Sequence, residues 1–323
     1  MKALVTGCAG FIGSHLCEKL VSEKIHVTGV DALTDYYSTE IKKANLKNLT
    51  GNPDFSFVQN DLMDADLKTL LKDVDFVFHL AAQPGVRGSW GEHFSIYVKN
   101  NILATQRLLE AAKSSPGLRK FVYACSSSVY GQIKEESVNE EHRAMPHSPY
   151  GATKLAGENL CFLYNANYGT PVVSLRLFTV YGPRQRPDMA FTRLIYAAIS
   201  GKKFPLFGDG SQERDFTYVL DVVEGMRLAA QNDKATGIFN IGGGHVVSMN
   251  QVIRMVEEIV GSKIQIDAKH SELGDVRRTS ADISKSKKVL DFTPKHDIEA
   301  GLRQEAEFVK KHVHFYHDSM RLL

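Results

Sequence analysis

The stretch Lys2-Ala3-Leu4-Val5-Thr6-Gly7-Cys8-Ala9-Gly10-Phe11-Ile12-Gly13 decides the fold of this 323-residue chain. A short apolar run ends there in three glycines at a spacing of three, Gly7, Gly10 and Gly13. So short a run predicts a buried parallel strand rather than an amphipathic helix. The glycines allow a tight turn, close approach of the backbone to a pyrophosphate, and close packing of the next helix on the sheet. The stretch therefore predicts a strand, a dinucleotide-binding turn and a helix in succession.

Two acidic residues extend this prediction. A second predicted strand, 25–30, ends in Asp31, where an acid binds the ribose hydroxyls and favours NAD over its phosphate ester. Asp61 follows a third predicted strand, 55–58, in a position suited to the adenine amino group. A loop-capping role is the alternative for Asp61, because Asp is a common turn residue. A glycine-rich turn without a ligand is the alternative for the whole unit, and the strand–turn–helix–strand–acid succession argues against it.

The order of predicted elements gives the fold class. Strands alternate with helices through the first half of the chain, which predicts an α/β fold built on a Rossmann-type doubly wound parallel sheet. After residue 176 the alternation changes, and no clean linker is visible. We expect a dinucleotide-binding domain at 1–176, with 214–241 returning to it and 214–219 rejoining the main sheet as a strand. A smaller, interleaved lobe then comprises 177–213 and 242–312.

Composition excludes several classes of function. Hydrophobic residues make up 43% and charged residues 24%, and the net charge of +2 gives no indication of a nucleic-acid partner. No apolar run approaches the length of a membrane span, and the N-terminus resembles no signal peptide, so we expect a cytoplasmic protein. The cysteines lack paired spacing and predict neither disulfides nor a metal site. They are Cys8, Cys17, Cys125 and Cys161.

A tyrosine and a lysine supply the candidate chemistry. Tyr150 and Lys154 are four residues apart at a predicted helix start and therefore share one face. The Lys154 ammonium is expected to lower the pKa of the Tyr150 phenol, which makes it a usable general base. Ser126 or Ser128, beyond the fifth predicted strand, could bond the same substrate hydroxyl. A Tyr–Lys pair alone is common by chance; the glycine turn and the serines favour a site that removes hydride from a secondary alcohol.

Taken together, these motifs resemble the extended short-chain dehydrogenase/reductase family, and within it the nucleotide-sugar epimerases closest to UDP-glucuronate 4-epimerases. The resemblance covers the chain to about residue 300. The matching pieces are Thr6–Gly13, His79-Leu-Ala-Ala82, Asn101, Ser127-Ser-Val-Tyr-Gly131, Tyr150-Gly-Ala-Thr-Lys154, Leu175-Arg176, Thr179-Val-Tyr-Gly-Pro183 and Arg214-Asp-Phe216.

The resemblance implies a set of site residues. It implies tightly held NAD, a UDP-sugar in the cleft beside the second lobe, and catalysis by Tyr150 and Lys154 with Ser126. The implied NAD-binding residues are Gly7, Gly10, Phe11, Ile12, Gly13, Asp31, Asp61, Leu62, Leu80, Ala81, Ala82, Asn101, Tyr150 and Lys154. The implied substrate-binding residues are Arg87, Ser126, Ser127, Ser128, Tyr150, Thr179, Arg186, Phe191, Arg214 and Asp275.

The identity of the sugar depends on a few positions. Galactose epimerases of the family usually carry Asn where this chain has Thr179, and uronate decarboxylases usually carry an acid where it has Ser128. Both differences favour a UDP-glucuronate 4-epimerase, although Ser126 stands where close relatives often have Thr. Either a spare cation or the hydroxyls of Ser126–Ser128 and Thr179 could hold the sugar carboxylate. Surface arginines paired with local acids are the alternative for Arg184, Arg186 and Arg214.

The expected reaction inverts C4 of UDP-glucuronate through a 4-keto sugar and gives UDP-galacturonate. Another UDP-sugar 4-epimerase of the glucose/galactose type and a UDP-glucuronate decarboxylase are the alternatives within the family. A dehydratase would need an acid pair after the Ser/Thr position, which Ser127-Ser128 does not supply. A non-catalytic NAD-binding sensor would usually lack the Tyr150–Lys154 pair.

The resemblance also implies a homodimer. Predicted helices 95–114 and 150–168 carry wide apolar faces, and family members pair such helices across a two-fold axis into a four-helix bundle. Ordinary core packing is the alternative for these faces.

Overall fold

The computed structural model describes residues 1–133, 135–270 and 274–319. Their strands are, in chain order, β1 (Lys2–Thr6), β2 (His26–Asp31), β3 (Phe55–Gln59), β4 (Phe76–His79), β5 (Lys120–Ser126), β6 (Val172–Leu177), β7 (Val180–Tyr181), β8 (Lys203–Phe207), β9 (Glu213–Tyr218), β10 (Gly237–Ile241), β11 (His245–Ser248) and β12 (Gln265–Lys269).

The α-helices of the same residues are α1 (Phe11–Ser22), α2 (Thr39–Asn45), α3 (Leu67–Leu70), α4 (Phe94–Tyr97), α5 (Ala104–Ala112), α6 (Pro149–Tyr168), α7 (Ala190–Ser200), α8 (Val219–Gln231), α9 (Met249–Val260), α10 (Ser284–Leu290), α11 (Ile298–Lys311) and α12 (Val313–Ser319). A π-helical turn, Val98–Leu103, joins α4 to α5, so the predicted helix over 95–114 is one helical segment with a bulge in it.

The main sheet has seven strands in the order β3-β2-β1-β4-β5-β6-β10, and every pairing in it is parallel. This confirms the predicted Rossmann-type doubly wound sheet. The chain order reverses between β1 and β4, which is the point where doubly wound sheets open a crevice for a ligand at the carboxyl ends of their strands.

The first strand explains why the sheet is covered on both faces. Side chains of a strand alternate between its two sides. Ala3 and Val5 accordingly enter one hydrophobic core, and Leu4 enters the other. All three residues are at most 1% exposed, which is why the strand reads as a continuous apolar run.

One predicted pairing is wrong. The segment 214–219 does form most of a strand, β9, but it lies outside the main sheet. β9 pairs with β11 antiparallel and with β7 parallel in a small three-stranded sheet. β10 closes the edge of the main sheet beside β6 instead. A period-two pattern predicts that a strand exists, and long-range packing decides which strand becomes its partner.

Helix α6 has clear start and stop signals. The Ser148 hydroxyl accepts a hydrogen bond from the Gly151 N–H at 3.1 Å, and Pro149 occupies the first turn, where its missing N–H has no cost. Gly169 ends the helix at a φ of +68°. These signals fix where the helix begins and therefore place Tyr150 in its first turn.

Three further observations concern membrane spans, metal sites and cysteines. No helix among the described residues combines the length and apolarity needed to cross a bilayer. The same residues contain no group of three or more His, Cys, Asp or Glu side chains suited to a metal ion. The four cysteines are unpaired and buried, as the sequence predicted.

Candidate functional site

The glycine turn leaves no room for side chains. Gly7 has a φ of +72°, and a Cβ on it would lie 2.8 Å from the Ala81 nitrogen. A Cβ on Gly13 would lie 2.1 Å from the Gly7 carbonyl oxygen. Since α1 begins at Phe11, the free N–H groups of its first turn lie beside this turn and can face a phosphate. The turn therefore has the shape that a pyrophosphate requires.

The two predicted carboxylates lie at the ends of their strands. Asp31 accepts hydrogen bonds from the Ala9 N–H at 3.1 Å and the Leu33 N–H at 2.8 Å, which ties the end of β2 to the glycine turn. Asp61 accepts from the Met63 N–H and pairs with Lys99, each at 2.9 Å. Partial burial raises the pKa of Asp61, but these two contacts outweigh it and hold the pKa below its usual value.

A single cavity collects most of the predicted NAD-binding residues. It extends from the glycine turn along the crevice between β1 and β4 to the start of α6. Its predicted lining residues are Gly7, Gly10, Phe11, Ile12, Gly13, Asp31, Asp61, Leu62, Leu80, Ala81, Ala82, Tyr150, Lys154 and Arg186.

Asn101 departs from the prediction. It is 1% exposed and does not line the cavity, whereas its neighbour Asn100 does. Its side chain bonds both the N–H of Gln83, at 2.7 Å, and the carbonyl of Gln83, at 3.0 Å, and it donates to Thr153 at 2.9 Å. The π-helical turn shifts the helix register here, so that Asn101 points into the protein and supports the cavity wall from behind.

The catalytic candidates converge at the inner end of the cavity. Ser126 ends β5, its hydroxyl is near enough to the Tyr150 phenol to lower the phenol pKa, and the Tyr97 ring meets the Tyr150 ring edge to face with centroids 6.3 Å apart. Lys154 is 4% exposed, and its ammonium lies 4.5 Å from the centroid of the Tyr123 ring. Tyr150 thus has a hydroxyl partner on one side and an aromatic neighbour on another.

Burial affects the pKa of both Tyr150 and Lys154. Burial raises the pKa of the Tyr150 phenol above its usual value, and the Ser126 hydroxyl and the Arg186 guanidinium oppose that rise. Burial also lowers the pKa of Lys154. Both groups lie in a poorly solvated site, where desolvation disfavours the charged form of each. Ser126 and Arg186 thus oppose the rise in the Tyr150 pKa, and the contribution expected from Lys154 stays a prediction.

The predicted cations fall into two places. Arg186 lines the cavity and forms a bidentate pair with Asp188, with both nitrogen–oxygen distances at 2.9 Å. Arg87 lies away from it, paired with Asp275 at 2.9 Å and stacked 3.8 Å from the centroid of the Phe207 ring. The local-acid interpretation therefore fits the pairing of Arg186, although its side chain still faces the cavity.

Arg214 joins the second group of cations. Burial lowers the pKa of Arg214, Asp275 raises it, and Arg87 lowers it, which shows that the three side chains interact. Burial and Arg87 likewise lower the pKa of Arg193, a residue that the sequence analysis missed. Arg87 lies close to both Arg214 and Arg193, so three cations gather in one region, which suits a diphosphate.

The hydroxyl residues lie at the carboxyl ends of neighbouring strands. Ser126 on β5 is level with Leu177 on β6, and Thr179 follows two residues later. Ser127 and Ser128 form the turn directly after β5, and all four hydroxyl residues are partly exposed. Neutral donors and acceptors are thus gathered at the carboxyl ends of β5 and β6, where Ser126 acts on Tyr150, although none of the four residues lines the cavity.

Phe191 is buried in the core. It is 1% exposed, and its ring packs on Phe216 with centroids 4.5 Å apart. The amphipathic pattern of α7 turns the Phe191 side chain into the core, so substrate binding by Phe191 would have to use its backbone, and this role stays a prediction.

The structure adds cavity residues that the sequence analysis did not propose. Tyr36, Tyr37 and Gln83 line the cavity, as does Lys42, whose ammonium donates to the Thr34 carbonyl at 2.7 Å. The two tyrosines follow the carboxyl end of β2 within a few residues, at the edge of the sheet where ligands bind, which is a signal for them. Lys42 lies in an ordinary polar helix and carried no signal.

A seven-stranded parallel sheet, a glycine turn at its switch point and a Tyr–Lys helix beside the crevice together define a dinucleotide-binding protein of the short-chain dehydrogenase/reductase class. The chain belongs to the GDP-mannose 4,6-dehydratase family, whose model matches residues 4–305.

Several relatives match nearly the whole chain. UDP-glucuronate 4-epimerase of Thermodesulfobacterium geofontis is 39% identical over 96% of this chain and 96% of its own. YtcB of Bacillus subtilis, described as an uncharacterized UDP-glucose epimerase, is 47% identical over 96% of this chain and 98% of its own. The crystal structure of UDP-glucuronic acid 4-epimerase from Bacillus cereus, in complex with UDP-glucuronic acid and NAD, has a TM-score of 0.94 and 46% identity. That match covers 96% of this chain and 99% of the Bacillus cereus chain.

Proposed function

We propose that this protein interconverts UDP-glucuronate and UDP-galacturonate by inverting C4 of the sugar with NAD held throughout the reaction. The observation that carries the proposal is the group of neutral hydroxyls at the carboxyl ends of β5 and β6, Ser126–Ser128 and Thr179, of which Ser126 acts on Tyr150. The T. geofontis and B. cereus relatives, both named for this activity, support the same assignment.

The residues present fit NAD. Gly7 lies so close to Ala81 that a side chain on it would clash, and the N-terminus of α1 lies beside this turn. Asp31, at the end of β2, lines the same cavity. We propose that the turn holds the pyrophosphate, that Asp31 and Lys42 hold the adenosine ribose, and that Asp61 meets the adenine. When bound, NAD+ accepts a hydride from C4 of the sugar and returns it to the opposite face.

Tyr150 is the proposed general base and acid. Its phenolate oxygen takes the proton from the sugar O4 and later returns it, while the Ser126 hydroxyl holds both groups in line. Burial alone would leave the phenol protonated near neutral pH, so the hydroxyl of Ser126 and the positive charge of Arg186 are needed to favour the phenolate. Lys154 is proposed to orient the nicotinamide-side ribose from the same face of α6.

The sugar carboxylate requires special handling. Oxidation at C4 produces a β-keto acid, which readily loses CO2. Arg186 already shares its charge with Asp188, so the hydroxyls of Ser127, Ser128 and Thr179 are the better partners for the carboxylate. Neutral donors can hold the carboxylate where C–C cleavage is poorly aligned, without the repulsion that an acid would cause.

The uridine diphosphate is assigned to the second lobe. We propose that 177–213 and 242–312 form this lobe, with β10 belonging to the NAD domain. Arg87 and Arg214 beside Asp275, together with Arg193 near Arg87, supply cations for the diphosphate, two or three of which suffice for bidentate contacts.

A product assay tests the proposal. Purified protein is incubated with UDP-glucuronate, UDP-glucose or UDP-N-acetylglucosamine, and the sugar products are identified by proton NMR. UDP-galacturonate from UDP-glucuronate, without an added reductant, is the expected result. A UDP-pentose as the main product would assign a decarboxylase, and reaction of UDP-glucose alone would assign the other epimerase type suggested by the description of YtcB.

We also propose a homodimer in the cytoplasm. Apolar side chains remain exposed on the α4–α5 segment and on α6, including Leu103 at 47%, Phe162 at 68% and Leu163 at 49%. Burying them against a second copy in a four-helix bundle would remove them from water. Light scattering after gel filtration tests this: Phe162→Glu should convert a dimer to a monomer.

The proposed cytoplasmic location is supported by the cysteines, because unpaired buried cysteines accord with a reducing compartment.

A further inference from the structure

A short segment of the second lobe crosses onto the NAD domain. We name residues 182–188, which follow β7 directly, the strap. Two hydrogen bonds inside the second lobe hold the strap in place. Glu305 accepts a hydrogen bond from the Gly182 N–H at 2.8 Å, and the Gln185 side chain, 2% exposed, accepts from the Thr192 N–H at 3.0 Å. The strap is therefore a rigid part of the second lobe.

The other side of the strap contacts α1. The Nε2–H of His15 donates to the Pro183 carbonyl at 2.9 Å, and burial lowers the pKa of His15 to about 4, so the ring is neutral. The Arg184 guanidinium pairs with Glu18 at 2.7 Å and donates to the Ser14 hydroxyl at 3.2 Å. These contacts join residues 166 to 170 positions apart in sequence.

Arg184 adopts a costly backbone conformation to make this contact. Its φ of +66° lies in the left-handed region, which a side chain with a Cβ rarely occupies. Its side chain is only 11% exposed and that of Glu18 is 28% exposed, so the pair is shielded from water more than an ordinary surface ion pair. A strained backbone persists where the contacts around it favour it, and the pairing of Arg184 with Glu18 and its hydrogen bond to Ser14 are contacts of this kind.

The strap and α1 form two walls of the same cavity. Arg186 enters the cavity from the strap, and Phe11 and Ile12 enter it from α1. A second contact closes the far end, where the Tyr36 hydroxyl donates to Asp188 at 3.3 Å. Contacts that hold the strap on α1 therefore hold together two walls of the cavity proposed to bind NAD.

We propose that Arg184 and Glu18 are positioning residues that fasten the strap to α1 and so prevent NAD from leaving between turnovers. An epimerase returns its hydride in every cycle and has no need to exchange the cofactor, so a fastening of this kind favours the reaction. This inference rests on the proposed use of bound NAD. It adds that retention depends on a contact between the two lobes as well as on the glycine turn.

Three variants test the fastening. Arg184→Gly removes the side chain and keeps a residue that tolerates positive φ, so strain is not added. Glu18→Gln removes only the charge, and the double variant Glu18→Arg with Arg184→Glu restores a pair of opposite sign. Lys19→Gln is the matched control, because Lys19 pairs with Glu23 within α1 and does not contact the strap.

The readout is bound cofactor rather than activity. NAD per protein is measured after gel filtration, and its release rate is followed by trapping free NAD with a dehydrogenase. We expect Arg184→Gly and Glu18→Gln to release NAD about tenfold faster or more, since losses in a binding contact fall mainly on the dissociation rate. The swapped pair should recover most of the retention, and Lys19→Gln should match the parent protein.

Activity at saturating NAD+ distinguishes a role in retaining the cofactor from a role in the reaction itself. With saturating NAD+ added, kcat of the two single variants should return to within about twofold of the parent, because the contact lies outside the reacting groups. Wild-type release rates in both single variants would overturn the inference, as would unrecovered kcat at saturating NAD+ in correctly folded protein. The NAD measurement stands even if the sugar assay fails, so failure of the inference is distinguishable from failure of the proposed function.

Discussion

The Glu305 carboxyl lies directly beneath Gly182, whose N–H donates to its Oε2 atom at 2.8 Å. Glu305 is fully buried, and its other oxygen accepts from the Thr192 hydroxyl at 3.2 Å. Burial raises the pKa of Glu305 to about 8, although both hydrogen bonds oppose the rise. A carboxyl that remains protonated at neutral pH thus supports the strap that carries Arg186 into the cavity.

This raised pKa predicts that stability falls as pH increases. The unfolded carboxyl ionises near its ordinary pKa of 4.5, whereas the folded one stays protonated up to about pH 8. The favourable contribution is therefore complete below pH 4.5 and is lost as pH rises through 8. Urea unfolding at several pH values should show that Glu305→Gln gains stability relative to the parent by roughly a few kcal/mol between pH 5 and 9. Glu307→Gln, an exposed position on the same helix, is the control, and an equal pH dependence in all three proteins would contradict the prediction.

Tyr150→Phe should abolish turnover while leaving UDP binding intact. The phenol is the proposed proton acceptor for O4, and loss of a general base typically costs about 10²–10⁴-fold in rate. Calorimetric titration with UDP should give a dissociation constant close to that of the parent protein. Near-normal kcat in this variant would exclude Tyr150 as the base, and Tyr97→Phe provides the matched control for loss of a neighbouring hydroxyl.

Ser128→Asp should weaken the binding of UDP-glucuronate. A carboxylate at this position would face the sugar carboxylate, and like charges in a poorly solvated site repel strongly. We expect KM for UDP-glucuronate to rise about tenfold or more, whereas Ser128→Ala, which loses one hydrogen bond, should change it by less. Unchanged KM in the Asp variant would show that the sugar carboxylate lies elsewhere.

The features that sequence alone could predict are those fixed by neighbouring residues. The spacing of Gly7, Gly10 and Gly13 and the acid at Asp31 depend on one strand–turn–helix–strand unit, and the structure brings them to one cavity. Tyr150 and Lys154 follow from the start of a single well-capped helix. Local chemistry determines these positions, so long-range packing does not alter them.

Other features depend on tertiary packing, which sequence does not show. β9 has a clear strand pattern, but its partners are β7 and β11 rather than the main sheet. The Phe191 side chain is turned into the core by the orientation of α7, and Asn101 lies off the cavity in the π-helical turn, so the binding roles expected for both stay predictions. Arg193 and Lys42 were missed because an isolated cation on a helix gives no indication of what it faces. Burial raises the pKa of Tyr150, and sequence does not reveal how strongly a site is desolvated.

In the proposed reaction the hydride removed from C4 returns to the same carbon, and isotope labelling tests this most directly. UDP-glucuronate carrying deuterium at C4 is incubated in ordinary water with the purified protein and no added reductant, and the product is analysed by NMR and mass spectrometry. The expected product is UDP-galacturonate that retains the deuterium at C4. Loss of the deuterium to solvent, or a UDP-pentose with release of CO2, would exclude the proposed reaction.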